Sequence, residues 1–354
     1  MKEYTIPVEK LQQILDDSTN SGEECGIQLA IYHKGKLEAE LCSGYTDSSR
    51  TTPVTRNSLF PLFSSGKAVM TTAFHMLKEE FGFSYSDKVS KYWKEYTGND
   101  KESTEIQHIL SHRSGLHTVS GVPNTSDELA DWNLMCEKLC NAVPAWRPGT
   151  KCGYQSISYA WLLGELAYRI SNIPFDQYIK QRILLPLGVD DDFFFGTTEE
   201  AEKRVVDIDT SAFEEEHIFT ADFHRNKKLR QAFIPSANGI ATAKAAATIF
   251  NSLCHHAILK TDTLENATVL NRHPDDPIIP GSWTKFGLGF AMPDWENSGG
   301  DIFGHGGAAG AELFYSKSRD MAVCFVKNRP LPTHPLHPVR NRIADALDIP
   351  HLIW

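Results

Sequence analysis

The sequence predicts an α+β fold: an antiparallel sheet flanked by helices, with a large helical insertion between the two halves of the sheet. Three observations carry that expectation. Strand-like segments lie before residue 60 and return after about residue 236, helical periodicity dominates between them, and no repeat or low-complexity linker separates independent units. The expected organisation is one unit, with residues 1–60 and 236–354 forming the sheet region and 61–235 the mainly helical one.

Val8, Leu11, Ile14 and Leu15 recur at helical spacing and predict an opening helix. "CGIQLAIYHKGKLEAELCSG" then reads as two strands around a tight turn at Lys34-Gly35. The helical block follows, punctuated by "WRPGT" and "LLPLGVDD". "DIFGHGG", "AELFYSK" and "MAVCFVKN" read as three further strands, and "PVRNRIADALDI" as a closing helix.

Composition narrows the function classes. A chain of 354 residues with 41% apolar and 23% charged residues can bury a sizeable core. Its net charge of -10, with no block of Lys or Arg, argues against nucleic acid or an anionic membrane as partner. The amino end lacks the apolar core of a signal peptide and no stretch could span a bilayer, so the expected location is the cytoplasm. The seven cysteines form no C-x-x-C pair and read as reduced, partly buried thiols.

The chemistry is expected at "NSLFPLFSSGKAVMTTAFHMLKEEFG", residues 57 to 82. Val69, Ala73, Leu77 and Phe81, beside Met70 and Phe74, form the buried stripe of a helix starting near Ser64. Residues three apart on a helix are neighbours, so the Lys67 amine can reach the Ser64 hydroxyl. A desolvated lysine loses its proton readily and can serve as the base that activates a serine. The tetrapeptide alone also fits an N-capping Ser64 and a solvated Lys67, and the same spacing recurs at Ser282 and Lys285.

Context favours catalysis. Ser-x-x-Lys, then Tyr154-x-Ser156, then His305-Gly306-Gly307, in that order, resembles the serine β-lactamase and penicillin-binding superfamily. The likeness is strongest to its class C-like branch of serine esterases, D-stereospecific peptidases and animal β-lactamase-like proteins. "IQHILSHRSGL", "YAWLLGEL", "ILLPLGVDD" and "SANGIATAKAAATIF" extend it over nearly the whole chain. The resemblance implies a β-lactamase/transpeptidase-like fold, Ser64 as nucleophile, Lys67 as base and Tyr154 as a second proton-transfer group. It also implies an oxyanion hole completed by the Ala308 amide, and electrostatic work for His305 at a substrate carboxylate or near Tyr154. Lys67 is expected to lower the Tyr154 pKa, and Gly306 and Gly307 to leave room for substrate.

Two departures matter. Ser156 stands where the family carries asparagine, and Gly306 where it carries threonine or serine. Both weaken antibiotic recognition and favour a small-ester or peptide substrate over a β-lactam. The expected protein is a serine hydrolase without cofactor or metal. An acyltransferase, a D-amino-acid peptidase, residual β-lactamase activity and a catalytically weak assembly protein remain open, as does oligomerisation.

Other motifs carry less. "GHGGAA" matches a dinucleotide fingerprint but precedes strands where that fold needs a helix. His108, His112 and His117 lack the glutamate of a metalloprotease helix and are expected to cap or pack, and "CHHAI" is no better as a metal site. No G-x-S-x-G elbow occurs.

Overall fold

The computed structural model describes residues 4–117, 125–211, 218–255, 258–271, 285–293, 299–330, 338–352 and 354. Ser282 and the histidine pair's second member lie outside them.

The opening helix is α1, Val8–Asn20, and the expected hairpin is β1, Gly26–His33, with β2, Lys36–Gly44. Lys34 and Gly35 both take positive φ at its turn. β3, Phe60–Phe63, runs into α2, Gly66–Phe81. After the helical block come β4, Phe193–Phe195, β5, Gly239–Ala241, the edge pieces β6, Lys285–Phe286, and β7, Ala291–Met292, then β8, Ile302–Gly306, β9, Glu312–Ser316, and β10, Met321–Lys327. The closing helix covers Pro338–Leu347.

The main sheet is antiparallel, ordered β2-β1-β10-β9-β8-β7-β6, so strands from the two chain ends pair within it as its second and third strands, with Ile27 opposite Lys327. Side chains alternate across a strand and divide its residues between two cores. Ile27, Leu29 and Ile31, with Val323 and Phe325, pack against Leu11, Leu15, Val339, Ile343 and Leu347 of the two terminal helices. Ala30, Ala322, Cys324 and Val326 face the other way, into a larger core shared with α2 and the Ala243–Cys254 helix.

Helix α2 is the axis of that larger core. Its first ten residues are all buried, Thr71, Thr72 and His75 among them, so it is enclosed rather than one-faced. Phe81, expected in the stripe, is 39% exposed because the last turn runs out of the core before Gly82 caps it. Truncating Phe74, fully buried against Phe83, to alanine should cost about 3–5 kcal/mol.

A second, three-stranded sheet, β3-β5-β4, escapes the sequence reading. Strands of three or four residues are too short to display period-two alternation, and "FPLF" is buried throughout. This small sheet positions the site: Phe63 lies in register with Gly239, which sets the turn before α2 beside the residues preceding β5. Gly66 is required there, since a Cβ would lie 2.8 Å from the Phe195 ring.

Candidate active site

Ser64 sits on the turn between β3 and α2, not in the helix itself, whose N-cap is Ser65. The preceding Phe63 holds φ 46°, a left-handed conformation that costs a bulky residue energy and is maintained here by burial and sheet pairing. The turn exposes the Ser64 side chain partly while Lys67, one turn on, is fully buried.

The Lys67 amine, Nζ, lies 3.0 Å from Ser64 Oγ, 2.8 Å from the Ser156 carbonyl and 2.6 Å from the Ser236 carbonyl. Burial alone pushes its pKa well below the ordinary lysine value. A neutral amine has two N–H groups and one lone pair. Both N–H groups can donate to the backbone carbonyls, which leaves the lone pair to accept the Ser64 O–H. Ser236 was not singled out from the sequence; its segment was, but a carbonyl ligand leaves no side-chain signature.

Tyr154 is half-buried, with its ring 4.9 Å from the Lys67 amine. Its pKa is raised by burial, and a hydrogen bond with Ser64 opposes the rise only partly. The expectation of a lowered phenol pKa is therefore corrected: Lys67, itself held toward neutrality, supplies no full charge to stabilise a phenolate.

His305 comes to the same place, its ring centroid 5.9 Å from that of Tyr154, but it carries no positive charge. Burial first, then the proximity of Lys67, lowers its pKa to about 3. Nδ1 hydrogen-bonds the Gly306 carbonyl at 2.7 Å and so carries the proton, which leaves Nε2 a buried acceptor without a partner among the described residues. An ionic hold on a substrate carboxylate is thus unsupported for this histidine.

Gly307 faces the α2 turn: a Cβ there would lie 2.2 Å from the Leu62 carbonyl oxygen and 3.1 Å from Ser65 Oγ. Ser65 in turn donates to the Ala311 carbonyl at 3.1 Å, which ties the β8–β9 turn to the Ser64 turn. Ala308 is exposed at the tip of that β8–β9 turn. Among the described residues, neither the Ser64 nor the Ala308 backbone N–H finds a protein acceptor. A Cβ on Gly306 would fall 2.5 Å from the side chain of Trp354. Both glycines are therefore demanded by the protein's own packing. Ser156 contributes its carbonyl to Lys67 while the residue itself is exposed.

The three histidines pack and cap. His108 completes a capping box at Glu105, and His117 stacks on Trp146 at 5.0 Å. His112, at φ 59°, accepts the Gln155 N–H at Nδ1 and lies against Tyr154, Tyr159 and Phe286. It backs the Tyr154 ring, a placement that its sequence spacing could not reveal. Gly304 to Ala309 form the end of β8 and the turn beyond, not a phosphate-binding helix mouth.

Similar proteins share this framework. Esterase/beta-lactamase LipL of Mycobacterium tuberculosis is 26% identical over 362 residues, covering 93% of this chain and 82% of that protein. A beta-lactamase of Yersinia enterocolitica is 27% identical over 169 residues, 48% of this chain and 42% of its own. The crystal structure of a family VIII carboxylesterase superposes with a TM-score of 0.86 at 21% identity, covering 98% of both chains. The antiparallel sheet with flanking helices is thus a shared fold, and with the family model described as Beta-lactamase matching residues 11–348, this chain belongs to the beta-lactamase family.

Proposed function

We propose that the chain is a serine hydrolase that needs no cofactor, acts through an acyl-enzyme and takes small esters as substrates. The observation that carries the reading is a fully buried lysine amine 3.0 Å from a half-exposed serine oxygen, with two backbone carbonyls occupying its N–H groups. Lys67 takes the Ser64 proton as Oγ attacks the ester carbonyl. The Ser64 and Ala308 N–H groups receive the oxyanion, an interaction whose loss typically costs about 10²–10³ in rate. The C–O bond to the leaving alcohol breaks, and the alcohol takes a proton delivered from Lys67 through Tyr154. Water then attacks the acyl-Ser64 ester with Lys67 accepting its proton; the C–Oγ bond breaks, the proton returns to Ser64 Oγ, and the acid departs.

Esterases among the relatives support this choice, as do Ser156 and Gly306 at positions that serve antibiotic recognition elsewhere in the family. Amide or peptide hydrolysis is the second reading. Its support is the raised pKa of Tyr154, which keeps the phenol protonated for the leaving nitrogen that amides require.

The test is intact-protein mass after a fluorophosphonate, with Ser64→Ala and Lys67→Ala alongside, followed by a panel of short-chain nitrophenyl esters and anilides. One adduct on the wild type, absent from Ser64→Ala and slowed in Lys67→Ala, is expected. No adduct under conditions that label a control hydrolase would overturn the reading and favour an assembly role.

A further inference from the structure

Trp354 has no place in the chemistry above, yet it reaches the same end of β8. The strand alternates at this point: His305 and Gly307 face α2 and the Ser64 turn, whereas Gly306 presents the opposite side. A Cβ on Gly306 would lie 2.5 Å from both Cβ and Cγ of Trp354, so the indole is seated directly on that glycine. Trp354 and Tyr154 pack on the same small cluster, Cys152, Phe286 and Ala291. Trp354 also packs against Phe314, with ring centroids 6.4 Å apart, so it lies on the other face of β8 from His305 and meets the Tyr154 side through that shared cluster. The residue as a whole is half-buried while its indole nitrogen is enclosed, so its solvent-facing part lies elsewhere.

The charges on that side are already spent. Glu312, in register with Gly306, is buried and receives the Arg340 guanidinium at 2.7 Å. A carboxylate arriving beside Gly306 would meet an aromatic wall and a neutralised arginine, and it would lose its hydration without a compensating partner. An uncharged apolar group would instead exchange water for indole contact.

On the esterase reading, we propose that Trp354 is a specificity-determining residue that closes the Gly306 side of the cleft and selects neutral, apolar esters over esters bearing a carboxylate. It acts by contact with the substrate's non-reacting part, not on the scissile bond.

The experiment compares 4-nitrophenyl butyrate with its 3-carboxy-4-nitrophenyl analogue on the full chain. Wild type should favour the neutral ester at least about tenfold in kcat/KM beyond the ratio of the two esters' uncatalysed rates. Trp354→Ala should shrink that preference severalfold, mainly through KM, and Trp354→Phe should keep it. Gly306→Ala should lose activity on the neutral ester through its clash with Cβ and Cγ of Trp354, and Gly306→Ala with Trp354→Gly, which removes both atoms, should recover it. This second arm holds even where Trp354→Ala lowers Tm. An active Trp354→Ala variant with the wild-type preference overturns the role of Trp354, whether or not the double variant recovers, and leaves the esterase reading standing. Absence of any turnover and of any Ser64 adduct in the wild type overturns both.

Discussion

Lys67 and Lys327 are both wholly buried, and they have opposite surroundings. Lys327, at the end of β10, donates to Glu24 at 2.6 Å, and both side chains are inaccessible to solvent. Burial pushes the Glu24 pKa up and the Lys327 pKa down, while each partner's charge pulls the other back. Lys67 has desolvation as the cause of its shift, with no carboxylate to restore its charge. One lysine joins strands from the two ends of the chain; the other is left as an amine aimed at a hydroxyl. The same residue type becomes a tie or a base according to whether an acid is buried with it.

Several substitutions would break or sharpen that contrast. The largest effect is expected from Lys67→Ala, which should reduce acylation of Ser64 by about 10²–10⁴, as removal of a general base does, while leaving Tm at or above wild type. Single-turnover labelling and a thermal melt check both halves. Lys327→Met should do the reverse: it strands Glu24 as an unpaired buried acid and should cost roughly 3–5 kcal/mol in denaturant unfolding, with acylation per folded molecule unchanged. Loss of acylation there at full stability would dissolve the distinction.

Acid offers a third comparison, between the base and the buried histidines. His75 and His224 are held neutral by burial, with pKa values near 4, and His305 lies near 3. Below pH 6.5 the unfolded chain binds protons at these sites and the native chain does not. Stability therefore falls as pH drops from about 6.5 toward 4, by roughly 1.4 kcal/mol per pH unit for each such histidine, before opposing carboxylate contributions. Acylation should decline over a range set separately by Lys67, rising with pH as its amine deprotonates. Melts and labelling rates across pH 4–9 should give two non-coincident curves. The smallest effect belongs to Ser156→Ala: because the carbonyl and not the side chain holds Lys67, acylation should change by no more than about twofold.

Much of this was legible in the sequence. The helix of Val8, Leu11 and Leu15, the Lys34-Gly35 hairpin and the three late strands follow from periodicity and turn chemistry, and the structure places them within a residue or two of the expected bounds. Ser64, Lys67 and Tyr154 were found by motif, and they do come together. Hidden features share a physical cause: they depend on backbone atoms or on distant partners. The Ser236 carbonyl, the pairing of Phe63 with Gly239 and the Trp354 ring over Gly306 leave no residue-type signal at a fixed spacing. The direction of the Tyr154 shift was misjudged, and that of His305 could not be read, because sequence reports which groups are ionisable, not how much water reaches them.

The meeting of β1 with β10 has a consequence for how the chain folds. Hairpins such as β1–β2 and β8–β9 close short loops, whereas the β1–β10 pair cannot form until nearly the whole chain has emerged. Helix α2 packs beneath the sheet and β8 must lie beside its mouth, so the Ser64–Lys67 pair acquires its full surroundings only in that last step. A nascent chain could contain Ser64, Lys67 and Tyr154 and still lack the surroundings that bring them together. An unassembled copy would then be unable to acylate itself on whatever ester it meets before folding is complete.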